Sequence, residues 1–583
     1  MSNVTADTAA AFCATLADEW WRHGVRDAVV CPGSRSTPMA LALVRHGGLR
    51  VSVRLDERGA GFFAIGLALA SLRPTVVLTT SGTAAAELHA AVVEAHHAGV
   101  PLVVCTADRP PELRDVGAPQ TIDQTHLFGR SVRWFGDLGV PDETGRPAWR
   151  SFASRAVAEA EDGPLGPGPV HLNMPFREPL IGEPGELPPP RASGRPWHRT
   201  AGPIPVGGDA EDLSDLLRPE GRGLIVAGGG ADRCGQSIPA LSAALGWPVL
   251  ADPRSGCRLA DTRVVGAADA LLRDERFAGE MMPEVVVRVG DPWASKVLSG
   301  WLSRTAAGGA VHVAVDPHWA WKDAGREAAV HAGGVRVDGA GPAAPTPWLR
   351  AWSEAEAVAQ AAIDGVLSRH PETTEPGVAR ALYGHAPADA AIVVSSSMPV
   401  RDLEWFGRPR TAAPRVFSNR GANGIDGVVS TALGVAASGA GGDVFALVGD
   451  LAVLHDASAL VRPASGGPPL PLVIVVLDND GGGIFNFLPQ ASELPETEFE
   501  RLFGTPQRPA VSDLARGCGY PVLEPAAAAD VVPALETARW QASVSGLPVF
   551  VVAHTERRGN VALHAEIDAS VRQSLSGLRA ASG

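Results

Sequence analysis

The sequence predicts an α/β protein of three successive domains, each built on a parallel sheet. Three observations carry this expectation: short apolar strand-like runs recur along all 583 residues, they alternate with Ala-rich helical stretches, and most end in Gly, Asp or another small polar residue. Two breaker-rich segments divide the chain, Glu183–Gly208 and Gly339–Pro347. They set the expected domains at 1–185, 209–345 and 365–583.

In the first region the strand-like runs are Ala28–Cys31, a run from Val51, Thr75–Thr79, Pro101–Cys105 and Val170–Asn173, with helices expected over Gly59–Leu72 and Ala84–Ala98. In the second they are Gly223–Gly230, Pro248–Ala251, Val285–Gly290 and Val311–Asp316. Gly228-Gly-Gly230 there raises dinucleotide binding, but the spaced Gly-x-Gly-x-x-Gly pattern is absent. In the third, Asp443–Asp450, a helix over Leu451–Leu460 and Leu472–Asn479 form a strand–crossover–strand unit, and Pro548–Ala553 is a last strand.

Composition narrows the function classes. Hydrophobic content of 45% suits large globular cores, and a net charge of -14 argues against sequence-independent nucleic-acid binding, which needs a broad basic surface. The start lacks a basic region followed by an apolar one, and no apolar run is long enough to span a membrane, so a cytoplasmic protein is expected. The six cysteines have no Cys-x-x-Cys spacing, which indicates neither a zinc site nor a disulfide framework.

Asp450 and Asn479 are the most informative pair, because each ends an apolar strand and both offer oxygen ligands at one sheet edge. Gly481-Gly482-Gly483 follows, where backbone can approach an ion or a phosphate without side chains in the way. One carboxylate, one amide oxygen and one carbonyl leave octahedral positions for phosphate oxygens and water, the way Mg2+ is held. Arginines cluster in loop-like strings after strands: Pro32-Gly-Ser34-Arg35-Ser-Thr-Pro38, Ala107-Asp-Arg109-Pro-Pro-Glu-Leu113, Ser395–Arg401 and Ser418-Asn-Arg420-Gly-Ala-Asn-Gly-Ile425-Asp-Gly427. Guanidinium groups at sheet edges suit carboxylate ligands.

Gly449-Asp450 with Asn479 resembles the metal-binding signature of thiamin diphosphate enzymes, with Leu451 in place of a glycine and Asp480 after Asn479. The arginine strings, together with Asp56-Glu57-Arg58-Gly59, Gln120–Gln124 and Gly481–Phe485, resemble the 2-succinyl-5-enolpyruvyl-6-hydroxy-3-cyclohexene-1-carboxylate synthases of menaquinone biosynthesis over nearly the whole chain. The resemblance implies three α/β domains of the thiamin diphosphate enzyme type: pyrimidine-binding, central and diphosphate-binding. It also implies decarboxylation of 2-oxoglutarate and addition of the succinyl unit to isochorismate. Other thiamin diphosphate decarboxylases, acetolactate-type synthases and a non-catalytic cofactor-binding paralogue are the alternatives.

By the same resemblance Glu57 shares a proton with the cofactor's aminopyrimidine, which requires apolar surroundings, and Arg401 and Arg420 hold substrate carboxylates. Ser34, Arg35, Arg109, Gln120, Lys296, Ser397 and Phe485 would line the substrate pocket. Ser397, Ile425, Gly449, Asp450, Leu451, Asn479, Gly481, Gly482, Gly483 and Ile484 would contact thiamin diphosphate. Asp450, Asn479 and the Gly481 carbonyl would hold Mg2+ or Mn2+. A homodimer, or a dimer of dimers, with sites shared between chains is implied as well. Leu488–Phe503 reads either as a lid or as a static surface loop.

Overall fold

The structure is a computed structural model. It describes residues 4–199, 213, 215–219, 221–235, 237–337, 341–342, 344–463 and 468–582. The ends of both expected linkers, 200–208 and 339–340, and position 343 lie outside these residues.

Three six-stranded parallel sheets are present. The first contains β1 (Asp27–Val30), β2 (Arg50–Val53), β3 (Thr75–Thr79), β4 (Leu102–Asp108), β5 (Phe135–Asp137) and β6 (Pro169–Pro175) in the order β2-β1-β3-β4-β6-β5. The second contains β7 (Gly223–Ala227), β8 (Val249–Ala251), β9 (Val264–Val265), β10 (Val285–Val289), β11 (Val311–Val315) and β12 (Ala328–Ala332), ordered β12-β11-β10-β7-β8-β9. The third contains β13 (Ala391–Val394), β14 (Arg415–Ser418), β15 (Val444–Gly449), β16 (Val473–Asp478), β17 (Val522–Leu523) and β18 (Val549–His554), ordered β14-β13-β15-β16-β18-β17. The first and third sheets therefore share one topology. In each, the order reverses between the first and third strands, and parallel sheets bind ligands at the carboxyl ends beside such a reversal.

The chain folds into two compact units. One comprises Met1–Pro203, Asn419–Ala440 and His455–Leu470; the other comprises Ile204–Ser418, Gly441–Leu454 and Pro471–Gly583. In the first unit, helices Val4–Arg22 and Trp149–Asp162 pack on the first sheet, with Phe12 edge-on to Trp149 at 5.4 Å between ring centres. Helix Glu57–Ser71 buries nearly every side chain from Ala60 to Ala70. It crosses helix Val428–Ala437 so closely that a Cβ on Gly66 would lie 2.0 Å from the Thr431 carbonyl oxygen, and one on Gly434 would lie 2.1 Å from that of Phe63. Only glycine permits this backbone contact.

In the second unit, helix Pro347–Leu367 and the long helix Arg557–Ser582 share a core with the second sheet. Leu563, Ile567, Val571 and Leu575 form an i, i+4 stripe that is fully or nearly fully buried. Burial of each is worth about 1.5–3 kcal/mol.

Two expected helices are interrupted. Ala84–Ala98 is two helices, Thr83–Glu87 and His89–Ala98, and Leu451–Leu460 is helix Asp450–His455 followed by a 3-10 turn, Ala457–Leu460. The dinucleotide reading of Gly228–Gly230 finds no support. At the reversal between β7 and β10 the chain's own backbone fills the crevice: Gly228 N–H donates to Val289 O, Asp291 N–H donates to Gly229 O, and a Cβ on Gly228 would lie 1.7 Å from Asp291 O.

Candidate active site

At the carboxyl edge of the first sheet, the loop after β1 packs on the segment after β3, since a Cβ on Gly33 would lie 2.3 Å from that of Thr80. Ser81 is the hub. Its hydroxyl donates to the Gln120 carbonyl oxygen at 2.8 Å and takes a short hydrogen bond from Arg109 Nη1, while Gln120 Nε2 donates to Ser81 O at 3.2 Å. Gln120 is held at φ 57°, a left-handed conformation that favours glycine.

Arg35 is buried and already engaged, donating to Phe176 O and to Glu178 Oε1, each at 3.0 Å. Burial first, and then the charge of Arg35, pull Arg109 below its ordinary pKa. The charges of Asp108 and Glu178 partly offset that shift. Ser34 is exposed and its carbonyl accepts from Thr37.

Glu57 opens helix Glu57–Ser71 after β2, with Asp56 as N-cap accepting the Arg58 N–H at 3.1 Å. It is half-buried rather than enclosed. Burial first, then the charges of Asp56 and Glu87, push its carboxyl up, against a hydrogen bond from its own N–H. Beside the burial expected of this carboxyl, two nearby carboxylates add to the upward shift.

The Arg420 loop belongs to the same unit. Buried Glu94 accepts the N–H groups of Gly421 at 2.7 Å and Ala422 at 2.6 Å, and Asn419 Nδ2 donates to Asp426 O at 3.4 Å. Ile425 is half-buried on this loop. Neither Glu94 nor Ser81 stands out in the sequence: one sits within an Ala-rich helix, the other in a short Thr-Ser-Gly turn.

In the other unit, the reversal between β13 and β15 brings together the loop 395–397 and Asp450. Ser397 adopts φ 73° as N-cap of helix Met398–Phe406, and Arg401 Nη1 donates to its carbonyl oxygen at 2.5 Å. Among the described residues Arg401 forms no ion pair, and burial lowers its pKa. The helix is locked from the central sheet. Arg258, fully buried, donates to the carbonyls of Leu403 (3.4 Å), Glu404 (2.7 Å) and Gly407 (2.7 Å) at the helix end and to Ala251 and Gly266; Glu404 Oε2 accepts the Ala294 N–H at 2.7 Å. Lys296 is exposed at the first position of helix Lys296–Ala307, next to the cap Ser295, which hydrogen-bonds Asp269.

Asp450 and Leu451 open a short helix directly after Gly449 of β15, and Asn479 follows neighbouring β16, with Gly449 opposite Leu477 in register. Burial pushes the Asp450 carboxyl up to about 7, Asp478 and Asp480 adding to the shift; N–H donors of Leu451 and Gly481 oppose it. Asp480 is exposed, with its own carboxylate 2.8 Å from Arg508 Nη1.

The glycine run does something other than leave open space. A Cβ on Gly481 (φ 141°) would lie 1.9 Å from Gly504 O, one on Gly482 2.2 Å from Phe503 O, and one on Gly483 2.5 Å from Asn479 Nδ2. Gly482 N–H donates to Gly504 O at 2.8 Å, so the end of the 488–503 segment is fastened to the run. Phe485 faces Phe503 at 5.4 Å between centres, and Ile484 beside it is half-buried.

A divalent cation fits this donor set. Among the described residues the Oδ1 of nearly fully buried Asn479 has no hydrogen-bond partner; the Asp450 carboxylate meets the Gly481 N–H, and the Gly481 carbonyl accepts from Gly483 N–H at 3.0 Å.

Residues 8–127 match the family description "Thiamine pyrophosphate enzyme, N-terminal TPP binding domain", 192–328 the "Middle domain of thiamine pyrophosphate" and 402–553 the C-terminal TPP binding domain. The chain is 46% identical over 537 residues to the 2-succinyl-5-enolpyruvyl-6-hydroxy-3-cyclohexene-1-carboxylate synthase of Chloroflexus aurantiacus, covering 86% of this chain and 87% of that protein. The chain belongs to this synthase family. Other synthases of the family, from Thermobifida fusca and Myxococcus xanthus, are 44% and 40% identical, over 90% and 96% of this chain and 93% and 97% of their own lengths. As a family member the chain is a thiamin diphosphate-dependent carboligating synthase of menaquinone biosynthesis. No helix among its described residues is long and apolar enough to cross a membrane.

Proposed function

We propose that this synthase decarboxylates 2-oxoglutarate and adds the succinyl unit to isochorismate, with Mg2+ or Mn2+ at Asp450, Asn479 and the Gly481 carbonyl. The observation that carries the substrate reading is the state of Arg401 and Arg109: partly buried guanidiniums, lowered in pKa by burial, that form no ion pair among the described residues. Such groups stay costly until an anion arrives, and both substrates are carboxylates.

In this reading Arg401, Arg420, Arg35, Arg109 and Lys296 bind and orient carboxylates, while Ser34, Gln120, Ser397 and Phe485 complete the pocket. Thiamin diphosphate, when bound, supplies the electron sink for loss of CO2. Glu57 holds a proton at the aminopyrimidine, helped by its raised pKa, and Ile425, Ile484, Gly449, Leu451, Gly482 and Gly483 line the cofactor. Residues 1–185, 209–345 and 365–583 act as the pyrimidine-binding, central and diphosphate-binding domains. The working assembly is a homodimer, or a dimer of dimers, in which Glu57 of one copy and Asp450 of the other serve one cofactor.

The test is made on purified protein with thiamin diphosphate and Mg2+, following 2-oxoglutarate consumption and product mass with and without isochorismate. Isochorismate-dependent turnover to the succinyl adduct supports the reading; equal consumption without isochorismate makes the protein a decarboxylase.

Glu94→Ala offers a narrower check. It frees two backbone N–H groups of the Arg420 loop, and the expected result is a KM for 2-oxoglutarate raised about tenfold, roughly 1.4 kcal/mol. An unchanged KM would separate Glu94 from substrate binding.

A further inference from the structure

We propose that Glu375 is a positioning residue for the divalent cation, holding the Asn479 amide in the one orientation that makes its oxygen a ligand. The inference rests on the metal site assigned above. Glu375 is 1% exposed at the first position of helix Glu375–His385, behind the cap Thr374. An acid at that position normally faces water, where it complements the helix dipole at no desolvation cost. Here it is enclosed, and among the described residues no lysine or arginine pairs with it.

Its Oε1 accepts the Asn479 Nδ2–H at 2.8 Å and the Thr555 hydroxyl at 3.2 Å. With Glu375 Oε1 accepting from both partners, the amide nitrogen faces Glu375 and Oδ1 faces away. That oxygen is the buried atom without a partner. Gly483 belongs to the same device, since a Cβ there would lie 2.5 Å from Asn479 Nδ2 and displace it from Glu375. Groups behind metal ligands fix ligand orientation in this way, and their loss typically weakens metal binding 10–100-fold.

Two variants disturb the same hydrogen bond from opposite sides. Mn2+ binding is titrated by the electron paramagnetic resonance signal of the free ion, with saturating thiamin diphosphate and no substrate, after circular dichroism and the unfolding midpoint confirm folding. Glu375→Ala is expected to weaken Mn2+ about 10–100-fold, and Gly483→Ala on the order of tenfold. Glu375→Gln, whose Oε1 still accepts from Asn479, should stay within about threefold of the parent.

Parent-like Mn2+ affinity in Glu375→Ala overturns the proposal. So does a Glu375→Gln variant as weak as Glu375→Ala, which would make charge rather than orientation decisive. If Glu375→Ala does not fold, Gly483→Ala carries the test alone, and parent-like affinity there overturns the proposal equally. Asp450→Ala separates the two layers: if it leaves Mn2+ affinity intact, the metal-site assignment itself fails.

Discussion

Glu57→Gln should leave thiamin diphosphate bound and lower turnover by about 10²–10⁴-fold, the usual worth of a positioned proton-transfer group. Glutamine keeps the shape and one acceptor of the side chain but cannot share a proton with a ring nitrogen. The surroundings of the carboxyl favour such sharing. Burial and the charges of Asp56 and Glu87 raise its pKa, so it retains a proton to higher pH than a free glutamate. Cofactor affinity by tryptophan quenching and 2-oxoglutarate consumption report the two properties separately. Unchanged turnover with intact binding would remove Glu57 from the chemistry.

Arg258→Met carries the second large effect, on stability rather than on chemistry. The guanidinium satisfies five carbonyl oxygens, three of them at the end of the helix that bears Arg401. Methionine fills similar volume but donates nothing, so these buried carbonyls lose their guanidinium donor, with Leu403 O keeping a backbone partner in the Gly407 N–H, at a cost of about 3–5 kcal/mol. A fall in unfolding midpoint on the order of 10 °C is expected in calorimetry. Arg258→Lys should recover little, because three donors on one nitrogen cannot span this planar set. A midpoint within a degree or two of the parent would show that the helix end is held by packing alone.

The strands were readable because a strand buried on both faces is written as a continuous apolar run, as in Val473–Leu477 and Val549–Ala553. Asp450 and Asn479 were readable for a related reason, since each closes such a run with a polar side chain. Glu375, Glu94 and Arg258 were not. Their roles depend on partners from 104 to 327 positions away, and each reads locally as an ordinary helix or loop residue. The helical break at Leu88 and the embrace of the glycine run by Phe503 and Gly504 are likewise tertiary facts with no local signal. Arg35 is legible as a guanidinium at a sheet edge, whereas its partners Phe176 and Glu178, more than 140 positions away, leave no local sign.

The crossing of helix Glu57–Ser71 with Val428–Ala437 also bears on how the chain is made. The earlier helix carries an almost wholly apolar surface, and the helix that meets it leaves the ribosome more than three hundred residues later. At about 5–20 residues per second this interval lasts on the order of tens of seconds. During that time the face around Phe62, Phe63 and Leu67 has no native partner, so the nascent chain is a client for a chaperone, and a fragment ending near residue 200 should aggregate rather than fold.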